Sequence, residues 1–154
     1  MDTLTRGERS ARMALVKAHG NKSTELALVQ QLRKNGIKGW RRRWRLLGKP
    51  DFVFPSLHFA VFVDGCFWHG CRQHCRIPKD NADYWTDKIT GNKQRDRTIT
   101  KLLRQSGWQV LRIWEHDIDN QKGIKRLIKV IKTKHNIESS PLEGLPQAVA
   151  HQKV

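Results

Sequence analysis

Residues 51–63 read Asp-Phe-Val-Phe-Pro-Ser-Leu-His-Phe-Ala-Val-Phe-Val, and residues 64–71 continue Asp-Gly-Cys-Phe-Trp-His-Gly-Cys. Two short apolar runs rich in aromatic and β-branched residues flank Pro55-Ser56-Leu57-His58, so residues 51–54 and 59–63 are expected to form a hairpin. A turn centred near Ser56 or Leu57 makes facing positions sum to about 113 or 114. Asp51 then faces Phe62 and Val63, and the side chains after the second strand, Asp64 and His69, fall near it.

Working outward, Gly48-Lys49-Pro50 is a turn, and Trp-Arg-Arg-Arg-Trp-Arg at residues 40–45 is a strand or basic arm. Upstream, residues 5–19 are basic and can be helical. Asn21 or Ser23 can cap a helix that runs to Asn35 and stops at Gly36, with Leu26, Val29 and Leu32 on one face. Downstream, residues 64–78 are rich in Cys, His and Gly and read as a loop. Residues 81–106 are polar and helix-prone, with Gly91 as a candidate break and Gly107 as the end. Residues 108–114 read as a nearly continuous buried strand, and residues 122–135 as a basic amphipathic helix. The sum is an α/β domain over residues 1–135, a small mixed sheet flanked by helices, with residues 136–154 as a loose tail.

The 154 residues suffice for one domain. They carry 30 Lys and Arg against 14 Asp and Glu, a formal +16 that repels itself unless a polyanion neutralises it. A solubilising surface is the plain alternative, but small domains need far less charge for that; nucleic acid is the better partner, held by its phosphates. No run of eighteen apolar residues suggests a membrane span, and the start lacks an apolar signal core. A cytoplasmic, nucleoid-associated protein is expected.

The three cysteines, Cys66, Cys71 and Cys75, lie within ten residues beside His74. In a reducing compartment that clustering points to metal rather than disulfides. Zinc takes four N or S ligands, and His116 follows the 108–114 strand closely enough to return to the loop. The preferred set is Cys66, Cys71, His74 and His116, with Cys75 competing with His74. Four protein ligands make a closed, structural site.

Phosphodiester hydrolysis needs a hard cation, and Asp51 at a strand start offers one carboxylate, with Val63 able to add its backbone carbonyl. The layout resembles the PD-(D/E)xK nuclease core, but no lysine follows two residues after an acid. His69 is the candidate base, since imidazoles titrate near neutral pH.

Taken together, these residues resemble the very short patch repair (Vsr-type) DNA mismatch endonucleases. The matching stretches run from Thr5 to about Asp117, and Val61 to Cys71 is the most specific of them. Arg9-Ser10, Thr24-Glu25, Gly48-Lys49-Pro50-Asp51, Tyr84-Trp85, Arg95-Asp96 and Trp114-Glu115-His116 accompany it in order. The resemblance implies a magnesium-dependent nickase with a structural zinc, cutting one strand of double-stranded DNA beside a T:G mismatch left by deaminated 5-methylcytosine. It implies Asp51 as metal ligand, His69 as activator of water, and Glu25 and Asp96 as assisting acids. Phe67 and Trp68, with Met13 from the other side, would wedge into the base stack; packing under the loop is the alternative for the first two. Arg41, Arg42 and Arg43 are read as phosphate contacts. Some members have threonine and histidine where this chain has Val63 and Asp64, so Asp64 adds an acid at the centre. Mismatch-repair proteins are candidate partners and a monomer is the expected state. A related restriction or homing nuclease, or a zinc-bearing DNA binder without catalysis, are the competing functions.

Overall fold

The computed structural model describes Thr5 and residues 25–138, with side chains to Lys134. Its elements are α1 (Ala27–Lys34), β1 (Phe52–Phe54), a 3-10 turn (Pro55–Leu57), β2 (Phe59–Asp64), α2 (Ala82–Gln105), β3 (Gln109–Trp114), α3 (Glu115–Asp119) and α4 (Lys122–Glu138). The sheet is mixed, in the order β1-β2-β3. The hairpin β1–β2 is antiparallel with Phe52 opposite Val61 and Phe54 opposite Phe59, the lower of the two expected registers. β2 and β3 run parallel, and a parallel pair needs a long crossover, which the loop and α2 supply.

Side-chain alternation divides the core between the two sheet faces. Phe52, Phe54, Phe59, Val61, Leu111 and Ile113 face one way and pack with Leu28 and Leu32 of α1 and Ile124 and Leu127 of α4. Phe62 and Val110 face the other way, against Leu103 of α2. Each fully buried Phe or Leu contributes roughly 1.5–3 kcal/mol to folding.

Four expectations need correction. Residues 40–45 form no strand: Arg41 alone makes a bridge, to Val53. Arg43 adopts a left-handed φ of 54°, which an extended run cannot contain. Gly91 does not break α2, which is continuous over 24 residues. One exposed glycine costs only about 1 kcal/mol against so long a helix. β3 is not continuously buried, since Gln109 is exposed and Arg112 is half-buried. The short helix α3 was not expected, and α4 runs three residues past 135. The predicted helix over 5–19, the caps at Asn21 and Ser23, Met13 and the tail beyond 138 lie outside the described residues.

Candidate active site and metal cluster

The parallel register brings the chemistry to one edge. Asp64 pairs with Trp114, so both strands end together, and two residues further each chain offers a ligand: Cys66 from one, His116 from the other. Antiparallel β1 starts at this same edge, which places Asp51 there too. Carboxyl ends of parallel strands are where open α/β sheets bind ligands.

Asp51 Oδ2 accepts the Val63 N–H at 2.7 Å, so the carboxylate is tied to the neighbouring strand's backbone. Beside it, Asp64, His69 and Asp96 bring ligand atoms within 4.8 Å of one another, a group to which Asp51 does not belong. His69 Nδ1 lies 2.5 Å from Asp96 Oδ2 and 3.7 Å from Asp64 Oδ1. Asp96 comes from the middle of α2. With Nδ1 donating to Asp96, the imidazole keeps its lone pair on Nε2.

Arg112 was missed in the sequence, where it sits inside an apolar strand. Its Nε and Nη2 grip the two Asp64 oxygens at 2.7 and 2.6 Å, and Nη2 also reaches Asp96 Oδ1 at 3.1 Å. Its guanidinium lies 4.7 Å from the centre of the Phe62 ring. The available signal was chemical: an arginine within a buried strand demands a carboxylate nearby, and Asp64 is two residues past its β2 partner, Phe62. Both Asp64 oxygens accept from Arg112. Burial pushes the Asp96 carboxyl up, but the His69 bond and the charges of Arg112, His69 and Arg95 outweigh that and leave it below its ordinary value. Burial likewise lowers the Arg112 pKa, and Asp64 and Asp96 more than reverse it.

The loop after β2 winds tightly: Cys71 N–H donates to the Cys66 carbonyl at 2.8 Å and Cys75 N–H to the Cys71 carbonyl at 3.0 Å. Gly70 has φ 63°, and a Cβ there would come within 2.7 Å of Ile89, so glycine is required twice over. Glu115 accepts the Cys66 N–H at 3.2 Å and fastens the loop to α3. Cys66, Cys71, His74 and His116 all place a ligand atom within 4.8 Å of the others. Cys66 Sγ is 3.0 Å from His116 Nδ1 and 3.7 Å from His74 Nδ1; Cys71 Sγ is 3.7 and 3.9 Å from His74 and His116. A tetrahedral zinc with ordinary bond lengths would separate S and N ligands by about 3.6 Å, so two sulfurs and two nitrogens fit such an ion. Cys75 turns away, its thiol donating to the Phe67 carbonyl at 3.6 Å. Burial, foremost, pushes the metal-free Cys66 thiol up to about 11, so a cation binding there must displace protons.

Phe67 and Trp68 are half-buried and meet Trp85 edge-on, at 5.4 and 6.1 Å between ring centres. Glu25 is buried and ion-paired with Arg42, which therefore points inward, whereas Arg41 and Arg43 are exposed.

An acid-and-histidine centre at the carboxyl edge of a mixed sheet, braced by a thiol–imidazole cluster in a strongly basic chain, is the arrangement of a small α/β nuclease. Comparison with known proteins narrows the class. The family model for DNA mismatch endonuclease Vsr matches residues 1–76. The type II nicking enzyme V.NaeI of Lentzea aerocolonigenes is 41% identical over 136 residues, covering 84% of this chain and 78% of that protein. The type II nicking enzyme V.NmeDIP of Neisseria meningitidis serogroup C is 40% identical over 120 residues, 77% and 80% of the two chains. The DNA mismatch endonuclease Vsr of Escherichia coli (strain K12) is 32% identical over 117 residues, 74% and 73%. The chain belongs to the Vsr family of DNA mismatch endonucleases. It is accordingly a strand-nicking DNA endonuclease, a hydrolase whose substrate is DNA. No helix among the described residues is long and apolar enough to cross a membrane.

Proposed function

We propose that this nuclease cuts one strand of double-stranded DNA beside a T:G mismatch, by magnesium-dependent hydrolysis, in the very short patch repair of deaminated 5-methylcytosine. The observation that carries the reading is His69 held on Asp96 at the strand end where Asp51 stands. Asp51 and the Val63 carbonyl are hard oxygen donors suited to magnesium. When bound, the ion would neutralise developing phosphate charge and lower the pKa of its water.

The chain's own groups do the rest. His69 Nε2 takes the proton of the attacking water as the bond from phosphorus to the leaving sugar oxygen breaks. Asp96 fixes the ring and stabilises the imidazolium that results. Arg112 holds Asp64 and Asp96 at their spacing, and Glu25, neutralised by Arg42, supports the centre from α1's start. Phe67 and Trp68 on the Trp85 ring form the wedge against the base stack, with Met13, outside the described residues, as a further apolar contact; a T:G pair unstacks at lower cost than a matched pair. Arg41 and Arg43 contact phosphates. The Cys66–Cys71–His74–His116 cluster takes zinc, a structural ion able to add roughly 10 kcal/mol to folding. The enzyme acts as a monomer on the cytoplasmic nucleoid, where mismatch-repair proteins are its candidate partners.

Asp51→Ala and His69→Ala should each abolish nicking of a T:G duplex while leaving binding, measured by gel shift, within a few-fold of the wild type. Normal cleavage by Asp51→Ala overturns the assigned centre.

A further inference from the structure

Next to the catalytic network lies a cavity of about 620 Å³ that the reaction does not use. Its walls are Asp96, Arg97, Thr100, Lys101, Arg104 and Gln105 of α2, with Arg112 of β3. Spacings of three and four residues put Arg97, Thr100, Lys101 and Arg104 on a single helix stripe. The Arg97, Lys101 and Arg104 side chains are exposed. A solvated basic stripe is the ordinary reading of such a helix. Two buried atoms argue otherwise: Thr100 Oγ1 and Arg112 Nη1 have no hydrogen-bond partner. Thr98, two residues earlier on the same helix, satisfies its hydroxyl on the Gln94 carbonyl, whereas Thr100 does not. The Asp96 oxygens, which would repel an anion, are already engaged by His69 and Arg112. Buried donors left without partners are costly and mark a place where a ligand completes the set.

We infer that this cavity binds a DNA backbone phosphodiester, a second phosphate next to the one being cut, held by Thr100 and Arg112 inside and by Arg97, Lys101 and Arg104 at the rim. The inference rests on the proposed function only in reading the Asp51–His69 edge as the place where the strand is cut. Because Asp96 and Arg112 belong to both the cavity and the catalytic network, a phosphate seated here would set the register of the strand on His69. Phosphate contacts of this kind position a duplex without reading its sequence.

The test uses the whole chain and matched duplexes without divalent metal, so binding alone is scored and T:G preference does not enter. A single neutral methylphosphonate is placed at successive positions on either side of the nick site. Wild-type binding should fall about tenfold at one or two adjacent positions. The Lys101→Gln/Arg104→Gln variant should bind the unmodified duplex about tenfold more weakly and lose nothing further at those positions. Its salt dependence should be shallower by about 0.9 in log–log slope, the value of one phosphate contact. Thr100→Val should show the same positional insensitivity in part. A variant that keeps the wild-type positional profile, or a wild type with no sensitive position, overturns the assignment. Stabilisation of the wild type but not the variant by inorganic phosphate, with no methylphosphonate effect, would assign the cavity to a free anion and equally overturn it.

Discussion

The proposed centre is organised by one arginine to which the reaction assigns neither the cation nor a proton. Arg112 spans Asp64 and Asp96, and Asp96 in turn holds His69. Asp64 is only 5% exposed, so removing its partner strands a buried charge. Arg112→Met should therefore destabilise the fold by about 3–5 kcal/mol in urea unfolding and slow nicking by more than any accompanying loss of DNA affinity accounts for. Asp64→Leu/Arg112→Met should regain much of the stability and little of the rate, because His69 would still lack the spaced carboxylates. If the double variant nicked normally, the pair would be a packing device only. Asp96 gives a second residue-level expectation. Its pKa is held below 3.8, so its contribution to stability is complete above that value and is lost as pH falls through the lower folded value. Asp96→Asn should lower stability at neutral pH and flatten the decline below pH 3.8. Equal acid limbs in both proteins, followed by circular dichroism, would contradict the pairing.

At the scale of elements, the loop between β2 and α2 and the long helix itself make separate predictions. Cys66→Ser should lose the proposed zinc and unfold at lower temperature, since the ligands of the cluster come from both the loop and α3 and an ion held by all four would tie the two together. Metal analysis beside thermal melting checks both, and a metal-free wild type of equal stability would contradict the structural role. Gly91 lies in exposed mid-helix with open space where a Cβ would stand. Gly91→Ala should add about 0.5–1 kcal/mol without touching the site. The hairpin was legible because its apolar runs and connector left only two registers, and the structure adopts one of them. The basic run at 40–45 was not legible, because a left-handed Arg43 and the inward pull of Glu25 on Arg42 are tertiary facts. Arg112 was hidden for the same reason: a strand of six residues shows its face only once its partner is known.

For the molecule as a whole, composition and motif reached further than local propensity. The +16 charge pointed to a nucleic-acid partner, and the family resemblance carried by Val61 to Cys71 implied the DNA-cutting class. The set Cys66, Cys71, His74 and His116 was legible from spacing, and the structure brings those four together: the parallel register of β2 and β3 returns His116 to the loop, while Cys75 turns to the Phe67 carbonyl. In the proposed reaction, one edge of one small sheet presents a base, its carboxylate and an aromatic wedge to one strand beside a mismatch. The most direct test is strand-resolved cleavage with magnesium of end-labelled duplexes carrying T:G in several flanking contexts, against matched C:G controls. A single nick 5′ to the mismatched T, absent from the controls and from magnesium-free reactions, is the expected result. Equal cutting of matched and mismatched duplexes, or binding with no cutting in any context, would contradict it.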